Sequence, residues 1–221
     1  MRNRFEEQLL MLNKKMIEMG AMCENIITLS AKALLDGDMG LASDVKAHGR
    51  EIDQTEREIE DICLRLLLQQ QPVAHDFLQI SAALKMVTDM ERIGDQAEDI
   101  AEIIPFLSGR TSAELADFKP MAKAACRMVT ESIDAYVKQD VELARSVIAH
   151  DDIVDNCFAH VKETLIKMIG ENAADGEYAV DLLMAAKYFE RIGDHAANIA
   201  EWVEFAVTGV HKGEKDYDLV C

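Results

Sequence analysis

ERIGDQAEDIAE at 91–102 and ERIGDHAANIAE at 190–201 are one twelve-residue stretch written twice, with nine identical positions at an offset of 99. Upstream, DMGLASDVKAH at 38–48 aligns without gaps on DVELARSVIAH at 140–150, with six of eleven positions identical at an offset of 102. Two blocks recurring in the same order at nearly the same offset mark a tandem duplication, with a three-residue length difference in a loop between them. Each unit is therefore about half of the 221-residue chain.

Each unit reads as three long helices. Leu9, Leu12, Met16, Met19, Cys23, Ile26 and Ile27 recur at spacings of three and four, which predicts one buried helical face from about 4 to 35. Asp36-Gly37-Asp38 ends that helix and caps the next, expected from about 39 to 70 on Leu41, Val45, Ile52, Ile59, Leu66 and Leu67. A third helix is expected from about 74 to Ile104, after Gln71-Pro72 and before Pro105. The second unit repeats the plan at roughly 112–138, 140–170 and 176–207, with Gly170 to Gly176 standing where the first unit has its proline turn. Helices this long must lie lengthwise against one another. The expected fold is all-α: two tandem three-helix bundles related by a pseudo-two-fold, in units 1–110 and 111–209, with a loosely held tail at 210–221.

Composition narrows the function. Against 23 Lys and Arg stand 41 Asp and Glu, a formal charge of −18, and no basic cluster of the kind that displaces counterions from phosphates; this excludes a nucleic-acid binder. Direct docking on an anionic membrane is disfavoured for the same reason. Arg65, Lys85 and Lys187 interrupt the most apolar stretches, so no membrane insertion is expected. Glu6 and Glu7 stand where a secretory leader would carry its apolar core, which makes a cytoplasmic location the expectation. The five cysteines are odd in number, 31 to 64 residues apart and without a C-x-x-C pair, and are expected to be reduced buried thiols. The twelve methionines are expected to fill the core.

The repeated motif carries the chemistry. At 100° per residue, Glu91, Asp95, Glu98 and Glu102 fall within about 60° of one another on a helix, opposite Ile93, Ala97, Ile100, Ala101 and Ile104. A plain solvated face is the competing reading. Yet like charges one turn apart repel by ~0.2–0.5 kcal/mol per pair and a mid-helix glycine such as Gly94 costs ~1 kcal/mol, neither of which a neutral surface requires. The second copy keeps Glu190, Gly193, Asp194 and Glu201, while Glu98 becomes Ala197. Carboxylates one turn apart can chelate a hard cation such as Mg, Ca, Mn or iron, and His195 would favour a transition metal. The middle helices add Asp151 and Asp155, with Asp53 aligned on Asp155 but Gly49 on Asp151. The first-unit site is accordingly expected to be the poorer one. His48 and His150 match between units and are expected to be capping or buried residues.

Signatures of catalysis are sparse. G-x-x-x-x-G-K-[ST], G-x-G-x-x-G and G-x-S-x-G do not occur, nor does the Glu-x-x-His pair of a ferritin-like di-iron bundle. No enzyme activity is expected; the alternative is a helical-bundle metal-binding protein or carboxylate-bridged metalloenzyme.

The two ERIGD stretches, together with FEEQLLMLNKKMIEMG and QQQPVAHDFLQISAALKMVTDMERIGD, resemble the PhoU family over nearly the whole chain. That resemblance implies a cytoplasmic, non-enzymatic regulator of phosphate uptake and phosphate-starvation signalling. It would join the ATPase subunit of the phosphate ABC transporter to a sensor histidine kinase and restrain both uptake and the starvation response when phosphate is plentiful. It also implies metal at E(D)-x-x-x-D motifs, here Glu91 with Asp95, Glu190 with Asp194, and Asp151 with Asp155, with Asp53 added by alignment. The ions implied are divalent or trivalent: iron, zinc, manganese or magnesium. The first copy departs from the family pattern at Gln96 and Asp99, where the second has His195 and Asn198. A homodimer is left open.

Overall fold

A computed structural model describes residues 2–70, 72–107, 110 and 117–210. It contains six long helices: α1 (Arg2–Asp36), α2 (Met39–Gln70), α3 (Ala74–Ile103), α4 (Phe118–Lys138), α5 (Val141–Glu171) and α6 (Gly176–Thr208). Short 3₁₀ turns follow α3 at Ile104–Leu107 and precede α6 at Ala173–Asp175. Strands are absent among the described residues. The expected start of the fourth helix, before Asp117, and the tail beyond Val210 lie outside them.

The caps explain where the chain turns. After α1, Gly37 takes a left-handed φ of 64°, and the Asp38 carboxylate accepts from the Gly40 and Leu41 amides at 2.8 and 3.1 Å to start α2. The second unit repeats this with Asp140, which accepts from the Leu143 amide at 3.0 Å. Gln139 replaces the glycine and is left-handed all the same, at φ 53°. Pro105 lies in the 3₁₀ turn after α3, whereas Pro120 sits in the first turn of α4, where no intrahelical carbonyl waits for its missing N–H.

The predicted apolar faces are the core. Leu12, Met16, Met19, Cys23, Ile26 and Ile27 of α1 are fully buried, as are Ile93, Ala97 and Ile100 of α3, and Leu9 is partly covered. Within each unit α2 packs on α1 and α3, and α5 on α4 and α6. The units join through equivalent helices, α3 against α6 and α1 against α4, the pairing a pseudo-two-fold requires. One apolar cluster runs through both, with Phe118 and Phe189 edge to face at 6.2 Å. Of the cysteines, Cys23 and Cys63 are buried, while Cys126 and Cys157 are half-exposed because they lie off the apolar stripes; Cys221 is outside the described residues. Six methionines are in the core, but Met11, Met39 and Met184 are exposed. No helix among the described residues is long and apolar enough to cross a membrane.

Candidate metal centres on the duplicated motif

Each ERIGD glycine lets its helix lie close to the middle helix of its own unit. A Cβ on Gly94 would stand 3.2 and 3.3 Å from Ile52 side-chain carbons; one on Gly193 would stand 3.1 Å from Asp151 Oδ1 and 3.3 Å from Val154. Ile52 and Val154 are equivalent residues, so the two units use the same contact. This approach brings the carboxylates of α2 onto the stripe of α3, and those of α5 onto α6.

In the first unit Asp53, Glu91 and Asp95 converge: each offers an oxygen within 4.8 Å of the others. Three oxygens at that spacing, from side chains one turn apart on α3 and one across from α2, can hold a hard cation. Glu56 and Glu98 add negative field. Burial pushes the Glu56 carboxyl up to about 7, reinforced by Glu91, Glu60 and Asp53. Burial likewise raises Glu91, Asp95 and Glu98, each further lifted by its acidic neighbours. Glu102, the last residue of the stripe, is instead engaged by Lys46 at 2.8 Å.

In the second unit Asp151, Asp155, Glu190 and Asp194 face one another less tightly. Asp151 is pushed up to about 6, chiefly by burial and then by Asp194, Asp155 and Glu190. Its Oδ1 is buried without a hydrogen-bond partner, an orphan acceptor of the kind a cation would satisfy. Where the first unit has Glu56 and Thr88, the second has Phe158 and Lys187. The Lys187 ammonium lies 5.5 Å from the Phe158 ring centre and pairs with Glu190.

The first unit, expected to hold the poorer site, is the one whose carboxylates converge more tightly. The only three-carboxylate convergence among the described residues lies there, and a built-in cation draws on the second. The donor sets of both fit a hard cation. They lie on partly exposed helix faces rather than in a bundle core, unlike a ferritin-like di-iron centre.

The histidines behave differently from expectation. His48 Nδ1 lies 3.0 Å from Glu51, and His150 lies 3.2 Å from Glu131 of α4; both are half-buried and neither caps a helix end. His195 turns its Nδ1 to Asp89 of α3 at 2.8 Å, and Asn198 donates to the same carboxylate at 3.2 Å. From there His195 faces Glu91 and Asp95 across the α3–α6 junction and slightly offsets the rise that burial gives both carboxyls. Sequence reasoning passed over Glu56 and Asp89. Glu56 has a visible signal, lying one turn from Asp53, whereas Asp89 has none without the packing.

Fold and site together define a tandem six-helix bundle with acidic faces on its duplicated motif. The chain belongs to the PhoU family: the PhoU domain model matches it twice, at 16–104 and 118–203. The phosphate-specific transport system accessory protein PhoU homologs of Clostridium acetobutylicum and Pseudomonas aeruginosa are each 33% identical to it over 207 residues. These alignments cover 93% of this chain in both cases, and 94% and 86% of the relatives. The crystal structure of PhoU from Pseudomonas aeruginosa superimposes with a TM-score of 0.88 at 33% identity, over 93% of this chain and 100% of that one. PhoU from Streptococcus pneumoniae, at 21% identity and a TM-score of 0.86, shares the fold, over 94% of this chain and 98% of that one. Membership supports a role in phosphate-transport regulation rather than in catalysis.

Proposed function

We propose that this chain is a metal-binding cytoplasmic adaptor that couples the ATPase subunit of the phosphate ABC transporter to a sensor histidine kinase. When phosphate is plentiful it restrains both uptake and the starvation response. The observation that carries the metal part is the convergence of Asp53, Glu91 and Asp95 at the α2–α3 contact, backed by the orphaned Asp151 oxygen in the second unit. The residues that would hold metal are Asp53, Glu91 and Asp95 in the first unit and Asp151, Asp155, Glu190 and Asp194 in the second. Bound cations would neutralise carboxylates that now repel one another and fix the surface a partner meets. The net charge of −18 favours basic partner surfaces and speeds encounter with them.

Removing the protein from phosphate-replete cells tests the regulatory role. Labelled phosphate uptake and starvation-gene expression are expected to rise in replete medium; unchanged values of both overturn it. Metal content tests the sites: Glu190→Ala with Asp194→Ala is expected to lower it with the helical fold intact, and unchanged stoichiometry removes the second-unit assignment.

A further inference from the structure

The charge of −18 is not shared equally among the helices. α1 and α4 together carry nine basic and seven acidic residues, whereas α2, α3, α5 and α6 carry eleven basic and twenty-six acidic. Packing separates these sets in space. α1 meets α4 and α3 meets α6, with α1 on α3 and α4 on α6, so the α1–α4 pair and the α3–α6 pair form opposite sides of the bundle. α1 and α4 run antiparallel and close: a Cβ on Gly20 would stand 2.9 Å from Ile133, the Thr130 hydroxyl donates to Glu24 at 3.0 Å, and the Thr28 hydroxyl lies 3.7 Å from Cys126 Sγ. One turn beyond Thr28 this register brings Lys32 of α1 to the level of Lys119 and Lys123 of α4. All three lysines are exposed, and none has an ion-pair partner among the described residues. The acids nearby are each engaged: Glu24 by Thr130, Glu131 by Arg127 at 2.7 Å, Asp134 by Lys138 at 2.7 Å, and Glu18 by Lys14 and Lys15. One turn the other way from Gly20, exposed Ile17 comes level with exposed Val137, and exposed Leu10 lies two turns further along α1.

We propose that the α1–α4 side docks on an anionic lipid bilayer, with Lys32, Lys119 and Lys123 on the headgroups and Leu10, Ile17 and Val137 reaching the acyl boundary. The charge of the whole chain disfavours such a surface, but repulsion extends only as far as the charges reach. The Debye length is about 8 Å at physiological salt, and the α3–α6 layer lies about another 8–10 Å behind the α1–α4 layer. The excess of carboxylates is therefore screened from the headgroup plane while the three lysines meet it. The lysines and apolar side chains share one plane along about 33 Å of α1, the layout of an interfacial amphipathic surface rather than of a compact protein epitope. This rests on the adaptor reading, which places the chain beside a membrane transport system, and deepens it by naming the side that faces the bilayer. The acidic α2–α3 and α5–α6 contacts are then left for basic partners.

The test is co-sedimentation of the purified full chain with vesicles of equal phosphatidylglycerol and phosphatidylcholine, against vesicles of phosphatidylcholine alone. At about 0.15 M salt binding is expected to the anionic vesicles only, and it should weaken at about 0.5 M. One lysine near an anionic surface is worth about fivefold in partitioning, so Lys32→Glu, Lys119→Glu and Lys123→Glu together are expected to lower it at least ~100-fold. Ile17→Ser with Leu10→Ser should lower it by about 10-fold and leave the salt dependence in place. A matched reversal on α2, Arg50→Glu, Arg57→Glu and Arg65→Glu, changes the net charge equally and is expected to lower it by less than ~5-fold. Circular dichroism of each variant checks that the helices persist. Equal losses in the two triple variants would show that net charge governs and not the α1–α4 side, which overturns the proposal. Absence of binding to the anionic vesicles overturns it too, and capture by poly-glutamate in their place would assign the lysines to an acidic protein instead. Purified chain and vesicles contain neither transporter nor kinase, so these failures leave the adaptor reading standing; that reading falls with unchanged uptake and starvation-gene expression after removal of the protein.

Discussion

His195 Nδ1 of α6 lies 2.8 Å from the Asp89 carboxylate of α3, so the second copy of the motif is fastened to the first unit two residues before the first copy begins. Both side chains are mostly covered, at 22% and 16% exposure. The second-unit histidine is thereby held where its field reaches Glu91 and Asp95. The same junction packs α3 on α6.

Asp89→Ala should cost about 0.5–1.5 kcal/mol, because it removes the acceptor of the partly buried His195 ring, while the exposed Asn198 amide can turn to water. The urea midpoint is expected to fall with an unchanged m-value. A midpoint equal to that of the unsubstituted protein would show that the junction contributes nothing to stability.

The acidic faces predict an inverted pH dependence for the metal-free protein. Glu56 and Asp151 are raised to about 7 and about 6, and Glu91, Asp95, Glu98 and Asp194 are raised as well. Each binds its proton more tightly folded than unfolded. Their contribution is therefore greatest near the ordinary carboxylate value of about 4 and is lost as pH climbs through the raised values. After treatment with chelator, the melting temperature is expected to fall between pH 5.5 and 8. Added Mn²⁺ should restore it most at pH 8, where the ligands are deprotonated. A melting temperature that climbs across this range without metal contradicts the carboxylate repulsion.

Gln139 and Gly37 occupy the same place in their units, both left-handed, and only one is a glycine. A non-glycine residue pays about 1–2 kcal/mol there, partly offset by the greater freedom of glycine in the unfolded chain, so Gln139→Gly should stabilise by about 0.5–1 kcal/mol. Gly37→Ala should destabilise by a similar amount. Thermal melts check both, and a loss of stability in Gln139→Gly would show that the glutamine is held by more than its backbone.

Much of this fold was legible because period and punctuation agree. Apolar spacings of three and four ran unbroken along α1 and α3, and Asp-Gly-Asp and Gln-Pro fell at the turns. Pro120 falls inside the helix expected over 112–138 but lies in the first turn of α4, where a proline costs no helix hydrogen bond. The site was legible only as a stripe. Asp53 could be aligned on Asp155, but which α2 residue lies under which α3 residue depends on how closely the helices approach, and that is decided by Gly94 against Ile52. For that reason Gly49 read as a missing ligand, although Glu98 fills its space. Lys187 gave no signal at all, because a lysine one turn before a glutamate is common on exposed helices.

Capture of the tagged chain from membranes of phosphate-replete and phosphate-starved cells, with quantitative mass spectrometry, tests the adaptor most directly. The account predicts recovery of the phosphate transporter ATPase subunit and a sensor histidine kinase, and loss of both when Glu91, Asp95, Glu190 and Asp194 are replaced by alanine. Absence of both partners under either condition, or their full retention by the substituted chain, would contradict an adaptor that works through its acidic faces.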